Sequence, residues 1–352
     1  METTLSLLRE LTLASGPSGY EEPVGACIKA HIAQEGELSV DGIGNICWKL
    51  QGTDSDGPTL LFAAHQDEIG FMVSEITAEG FLRFVPIGGW NPATLGSSAV
   101  EVINQHGTSI AGIIGQIPLH FLAKADEGLV PSLDQMFIDI GASNSGEVQH
   151  LFHVAVGDYV VPATRFVYHQ EKETLMSKAL DDRLGVAALI ELSHLLVRQR
   201  VKANVTLLFT VQEEVGTRGA KVAANYVQAD AAVVVEGAPA DDVPSFKGNA
   251  QTQVGKGAHV RLYDPTHIAN RSLVQLVRSA ASARNIVIQE AVRKGGGTDA
   301  MALSLAGRGI PSFVCGVPVR YAHSHNNLCS LYDYQQLRSL LFALCQDIGK
   351  LN

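Results

Sequence analysis

Four long apolar runs limit what this chain can fold into. TLLFAA (59–64), NVTLLFTV (204–211), AAVVV (231–235) and IPSFVCGV (310–317) show little alternation of polar and apolar residues. A strand with one solvated face alternates with period two, so unbroken runs of this length belong to strands covered on both faces, as in parallel sheets. Segments with helical periodicity lie between them. Residues 182–199 place Val186, Leu189, Ile190, Leu192, Leu195 and Leu196 on one side, and similar patterns occupy 217–227, 272–284 and 331–349. Near the start, Leu5, Leu8 and Leu11 share a helical face, and a second helical segment follows SGYEEP (18–23). Strands alternating with helices predict a mostly parallel sheet with helices on both faces, an α/β fold.

Between 70 and 162 the texture changes. FMVSEIT, FLRFVPI, SAVEVIN, SIAGIIGQI and VAVGDYVVP are short β-rich runs separated by glycine turns, without a long amphipathic helix. That pattern predicts a small all-β barrel or sandwich. The simplest organisation is a catalytic α/β domain formed by 1–69 and 163–352, split by an inserted β-domain at 70–162. A length of 352 residues exceeds one typical domain, which suits this division. With 46% hydrophobic and 18% charged residues, disorder is excluded.

The formal charge of -10 disfavours phosphate backbones and anionic lipid, so nucleic-acid and membrane-surface binding are not expected. The five cysteines are scattered and show no C-x-x-C, which argues against a disulfide framework or thiolate zinc site. The opening METTLSLLRELTLASG is interrupted by Arg9 and Glu10 and does not read as a signal peptide. A cytoplasmic protein is the expectation.

In open α/β sheets the site lies beyond the carboxyl ends of the strands. TLLFAA runs into His65-Gln66-Asp67-Glu68, TLMSKAL into Asp181-Asp182-Arg183, and NVTLLFTV into Gln212-Glu213-Glu214. AAVVV is followed by Glu236-Gly237, and IPSFVCGVP, after a short turn, by Tyr321-Ala322-His323-Ser324. Any one of these is more often a cap or turn residue. Together on one sheet edge they would repel each other unless cations offset them. Imidazole and carboxylate donors suit Zn²⁺ and Co²⁺. Two ions about 3.5–4 Å apart, bridged by a carboxylate, polarise a carbonyl and lower the pKa of a shared water. A carboxylate that binds neither ion can take the water's proton and deliver it to the leaving amine. Glu21-Glu22, with no strand before it, reads as a solvated helix start. GGGTDA (295–300) lacks the Lys-Ser/Thr of a phosphate loop. It reads either as a turn capped by Thr298 or Asp299 or as a backbone ledge beside a substrate.

At this point the chain resembles the tetrahedral aminopeptidases, dinuclear metallopeptidases that include glutamyl and deblocking aminopeptidases and proteins formerly labelled cellulases. The resemblance runs through SGYEEP, DGIGN (41–45), AAHQDEIGFMV (63–73), IDIGASN (138–144), VGDYVV, KALDDRLG, QEEVGTRGA, GGGTDA and RYAHS, in order and over nearly the whole chain. It implies an exopeptidase-like αβα catalytic domain with a β-insert. It implies two divalent ions, Zn or Co, held by His65, Asp181, Glu214, Glu236 and His323, with Asp181 bridging. Asp67 would hold the His65 ring, Asp182 would fix Asp181 by a cis peptide between them, and Glu213 would be the general base. Thr298 and Asp299 would lie beside the substrate. The implied activity is removal of N-terminal residues from short peptides by a hydroxide shared between the ions. The insert would pair subunits into a homo-oligomer, a tetrahedral dodecamer.

Two departures stand out. Glu236 occupies a position where the family most often has Asp, and His325-Asn326-Asn327 stands where the family often has an acid near 327. His325 reads as an exposed residue rather than a ligand. The competing readings are a metal-dependent amidohydrolase of another class (deacylase or carboxypeptidase), a glycosidase, and a non-catalytic peptidase-like scaffold. A glycosidase normally needs two carboxylates and no metal.

Overall fold

The computed structural model describes residues 2–351 apart from 122, 123, 125–127, 245 and 247. Helix α1 (Glu2–Leu13) buries Leu7, Leu8 and Leu11, and α2 (Glu22–His31) starts with Pro23 in its first turn, where the missing N–H costs nothing. Strands β1 (Glu37–Val40), β2 (Ile46–Leu50) and β3 (Thr59–His65) follow. The chain then leaves the sheet for β4 (Gly70–Ile76), β5 (Leu82–Ile87), β6 (Ala99–Ile103), β7 (Ser109–Gly115), β8 (Phe137–Asp139), the short helix α3 (Ser145–His150) and β9 (Tyr159–Pro162). It returns through β10 (Val167–His169), β11 (Thr174–Ser177), α4 (Leu180–Arg198), β12 (Asn204–Thr210), α5 (Arg218–Ala223) and β13 (Ala231–Pro239). The last stretch is β14 (Ala258–Asp264), β15 (His267–Ile268), α6 (Arg271–Arg284), β16 (Ile288–Val292), α7 (Ala300–Leu303), β17 (Ser312–Arg320), β18 (Asn327–Ser330) and α8 (Leu331–Asp347).

The main sheet has twelve strands, ordered β1-β2-β12-β3-β13-β17-β18-β11-β10, with β14 also on β17 and carrying β15 and β16. Its centre, β12-β3-β13-β17, is parallel, and antiparallel strands flank it on both sides. The central strands are those with unbroken apolar sequence, and all but the end residues of β3 and β13 are buried. One face packs on α1, α2, α4, α6 and α8 through Leu8, Ile28, Leu189, Val277 and Leu341. The other packs on α5 and α7 through Ala220, Ala223, Ala300 and Leu303. Parallel pairing brings the carboxyl ends to one edge, with Thr210 opposite His65 and Glu236 opposite Gly316.

The insert is a closed barrel, β4-β5-β8-β7-β6-β9. Alternate residues Phe71, Val73, Leu82, Val100, Val102, Ile138 and Val160 fill it, and closure leaves no unpaired edge. The helix expected over 217–227 is regular only from Arg218 to Ala223. The Asn225 side-chain amide donates to the Lys221 and Val222 carbonyls, satisfying the last turn and stopping it. Among the described residues no helix is long and apolar enough to cross a membrane.

Candidate active site

The strand ends bring the five expected ligand side chains into one cluster. His65 Nε2 lies 3.4 Å from Asp181 Oδ1 and 3.6 Å from Glu236 Oε2. On the other side of Asp181, His323 Nε2 lies 3.4 Å from Glu214 Oε2 and 3.9 Å from Asp181 Oδ2. These separations exceed ordinary N–H···O contacts of about 2.7–3.2 Å. The two at 3.4 Å match the edges of a tetrahedron around an ion with bonds of about 2.0–2.1 Å, which come to roughly 3.3–3.4 Å, and the other two are longer. Glu236 Oε1 is buried without a hydrogen-bond partner. The His and carboxylate side chains gathered here are of the kinds and spacing that could hold a divalent metal. The extra methylene of Glu236 does not pull its carboxylate out of the cluster.

Local structure explains the placement. The Asp181–Asp182 peptide is cis, as expected, and Asp182 Oδ2 accepts the His65 N–H while its Oδ1 accepts the Gly185 N–H. Asp181 Oδ1 also accepts from the Gly237 N–H. A Cβ at Gly237 would sit 2.6 Å from the Asp181 Cα, so this close approach requires glycine. Asp67 is fully buried: its main-chain carbonyl lies 3.1 Å from His65 Nδ1, its Oδ1 lies 3.4 Å from the same nitrogen and accepts the Glu213 N–H, and its Oδ2 accepts the Glu214 N–H and the Ser18 hydroxyl. From the barrel, the Gly89 carbonyl lies 3.0 Å from His323 Nδ1, which leaves Nε2 facing the cluster. Ala179, Gln212, Thr217, Tyr321 and His323 all adopt positive φ in the segments that carry these groups. Each costs about 1–3 kcal/mol and persists where the surroundings over-determine it.

The electrostatics are those of carboxylates crowded out of water. Burial, opposed by His65 and reinforced by Glu236 and Asp299, pushes the Glu213 carboxyl well above its usual range. Burial, opposed by His323 and reinforced by Asp181, pushes Glu214 up to about 7. Burial by itself would lower the His65 imidazole, but the Asp181, Asp67 and Glu236 carboxylates raise it well above its ordinary value. Cations placed between these groups would relieve the repulsion.

Several residues stand differently from their sequence reading. Thr298 lines a cavity of about 580 Å³ that opens onto His65, Asp181, Glu213, Glu214 and His323. Its hydroxyl accepts the Ala300 N–H, so it caps α7 as well. Asp299 is 1% exposed and receives the Thr210 hydroxyl at 2.5 Å from beneath the cavity wall, so it supports the ledge rather than lining it. His325 is buried, not exposed: it packs against Trp90 of the barrel with ring centroids 5.3 Å apart. Asn327 ties two ligand loops together, its Oδ1 accepting the Leu180 N–H and its Nδ2 donating to the Tyr321 and Ser324 carbonyls. Glu21, read as solvated, is 6% exposed and reaches the Gln212 backbone. The missed signal is SGYEEP itself, whose order of residues is too elaborate for a plain helix start.

This sheet, insert and strand-end cluster define a peptidase fold. The model of the M42 glutamyl aminopeptidase family matches residues 24–340, and the chain belongs to that family. The glutamyl aminopeptidase of Lactococcus lactis subsp. cremoris is 32% identical over 97% of this chain and 96% of its own. A TET aminopeptidase from the marine-sediment Thaumarchaeota archaeon SCGC AB-539-E09 superposes with TM-score 0.92 at 36% identity, over 98% of this chain and 96% of that one. The TET1 peptidase of Pyrococcus horikoshii, which can assemble into a tetrahedron or a large octahedral shell, gives 0.87 at 34% identity over 98% and 99%. The chain is thus an aminopeptidase, a hydrolase of peptide bonds.

Proposed function

We propose that the chain is a dinuclear metal-dependent aminopeptidase that removes N-terminal residues from short peptides in the cytoplasm. The observation that carries this is the gathering of His and carboxylate donors at one edge: Asp181, Glu214 and His323 offer atoms within 4.8 Å of one another, and His65 Nε2 lies 3.4 Å from Asp181 and 3.6 Å from Glu236. His65, Glu236 and one Asp181 oxygen would hold one divalent ion, Zn or Co, and Glu214, His323 and the other Asp181 oxygen a second. When bound, such a pair supplies Lewis acidity that polarises the scissile carbonyl and acidifies water. Glu213 takes a proton from the attacking water and returns it to the leaving amine, and its burial-raised proton affinity suits both transfers. Asp67 keeps the His65 ring in place and holds the Glu213 and Glu214 backbone. The substrate's free amine sits among the carboxylates at the cavity end, and Thr298 with Gly295–Gly297 forms the ledge beside its backbone.

Self-association belongs to the same reading. The barrel exposes Val85, Ile113, Ile117, Phe121, Leu129 and Val130, an apolar surface suited to subunit contact. A closed homo-oligomer, a dodecamer in the manner of the TET peptidases, would restrict access to short unfolded peptides. The test is metal analysis of the purified protein with turnover of aminoacyl and N-blocked panels after Zn²⁺ or Co²⁺ reconstitution. Two ions per subunit and cleavage confined to free N-termini are expected. Cleavage of blocked substrates instead would favour the deacylase or carboxypeptidase reading, and light scattering reports the assembly.

A further inference from the structure

Beyond β12 the backbone turns to present Glu213 and Glu214, and four successive N–H groups in that turn are taken by side chains. The Val211 N–H donates to Asn45 Oδ1 at 3.0 Å, the Gln212 N–H to Glu21 Oε1 at 3.0 Å, and the Glu213 and Glu214 N–H groups to the two Asp67 oxygens at 3.0 Å each. Asp67 is accounted for by the His65 ring. Glu21 and Asn45 come from SGYEEP and DGIGN, two motifs that supply no ligand and no base.

We propose that Glu21 and Asn45 are positioning residues that set the direction in which Glu213 and Glu214 point. Gln212 adopts φ 54, a left-handed conformation that a glutamine holds only when its surroundings enforce it. Glu21 supplies that enforcement on the N–H side, while the Arg218 N–H donates to the Gln212 carbonyl at 3.1 Å. The Glu21 Oε1 accepts the Gly19 N–H at 2.8 Å as well as the Gln212 N–H, so the carboxylate is fixed before it reaches across the fold. Asn45 is fixed as firmly: its Nδ2 donates to Asp41 Oδ2 at 2.6 Å and to the Gly219 carbonyl at 2.9 Å, which leaves Oδ1 aimed at Val211. Both side chains are buried, so water does not replace either acceptor. A turn released at Gln212 would relax towards negative φ and swing the next two carboxylates away from His65 and His323. The SGYEEP loop also anchors elsewhere, through the Ser18 hydroxyl on Asp67 at 2.6 Å and the Tyr20 hydroxyl on the Gly157 carbonyl at 2.9 Å.

The inference rests on the roles given above to Glu213 and Glu214. It is tested on the full-length protein by Glu21→Ala and Glu21→Gln, with Co²⁺ titration calorimetry of the metal-free protein beside steady-state kinetics on an aminoacyl substrate. Glu21→Ala is expected to lose about 10–100-fold in kcat with KM nearly unchanged, and to weaken Co²⁺ binding at one of two sites by about 10-fold or more. Glu21→Gln keeps an acceptor oxygen at the same reach and is expected to restore both properties to within about threefold of the parent. Asn45→Ala should repeat the Glu21→Ala pattern. If Glu21→Ala does not fold, Glu21→Asp, one methylene short of Gln212, carries the same comparison. Unaltered kcat and Co²⁺ affinity in a folded Glu21→Ala protein would overturn the proposal, as would a Glu21→Gln protein as impaired as Glu21→Ala. A parent that binds two Co²⁺ ions yet cleaves no aminoacyl substrate would end the assigned activity and leave the calorimetry to decide this inference.

Discussion

The barrel and the carboxyl edge of the main sheet are built from opposite materials. The barrel interior is Phe71, Val73, Leu82, Val100, Val102, Ile138 and Val160, and few polar side chains such as Asn104 and Asp158 are buried near it. The sheet edge buries Glu21, His65, Asp67, Glu68, Lys178, Asp182, Arg183, Glu236 and Asp299 within a short distance of one another. Apolar burial contributes stability without regard to pH or bound ions, whereas buried like charges cost free energy that partners or ions must offset. Part of the edge is self-compensated: Glu68 pairs with Lys178 at 2.5 Å and Arg183 at 3.4 Å. The part around Asp181 contains no Lys or Arg partner for Glu213, Glu214 or Glu236 among the described ion pairs. The difference separates a region that folds for its own sake from one whose charges make sense when it is loaded and working.

The sharpest break in that contrast is Glu213→Gln. The amide keeps the shape of the turn and removes the proton acceptor, so kcat should fall by about 10²–10⁴-fold. Metal content should stay near that of the parent, since the proposed assignment gives Glu213 to the water; loss of metal in this variant would place Glu213 among the ligands beside His65 and Glu214. Paired metal analysis and kinetics check this. Near-normal turnover would move the base to another group.

Removing the ions should come next in size and should act on the edge alone. A chelator should abolish turnover and destabilise the sheet by about 2.7 kcal/mol for each ion removed, relative to protein with free ion at a hundredfold its Kd. Hydrogen exchange should place the loss at the ends of β3, β12 and β13, with amides of the barrel strands unchanged. The chelated protein should also acquire a pH dependence with a definite sign. Glu214 sits at about 7 when folded, above the ordinary value of 4.5, so the folded state holds its proton through that window. Stability then falls as pH rises from about 4.5 to 7, because folding takes up protons there. A pH slope left unchanged by Glu214→Gln would show that this carboxyl is not crowded as described.

The parts of this architecture that were legible in sequence are those governed by local patterns. Unbroken apolar runs identified β3, β12, β13 and β17, and the ends of these strands and of TLMSKAL identified His65, Asp181, Glu213, Glu214, Glu236 and His323, which line one cavity. Long-range partnerships were not legible. Glu21 and Gln212 stand 191 positions apart, so a helix-start pattern says nothing of the bond between them. His325 was misread because its cover, Trp90, comes from the inserted barrel, and no periodicity reports where two domains touch. The antiparallel flanks of the sheet follow from pairing choices such as β14 on β17, which short strands leave open.

The seam between the two regions supplies the smallest expected effect, and one of opposite sign. His325 is buried against Trp90, and neither ring nitrogen has a partner, so burial lowers its pKa to about 4 from an ordinary 6.5. The unfolded chain therefore binds a proton between about 4 and 6.5 that the folded chain refuses. Stability from this group is complete above 6.5 and is lost as pH falls towards 4. At pH 5.5 the penalty is about 1.4 kcal/mol, one pKa unit's worth of differential protonation. His325→Leu keeps an apolar contact with Trp90 and has no proton to bind, so its stability should escape that penalty. Denaturant unfolding of both proteins, each stripped of metal so that ion loss in acid cannot intrude, isolates the term. The parent should lose about 1.4 kcal/mol relative to the variant between pH 7.5 and 5.5. Parallel pH profiles would mean that the seam opens to water and that the barrel does not seal this side of the site.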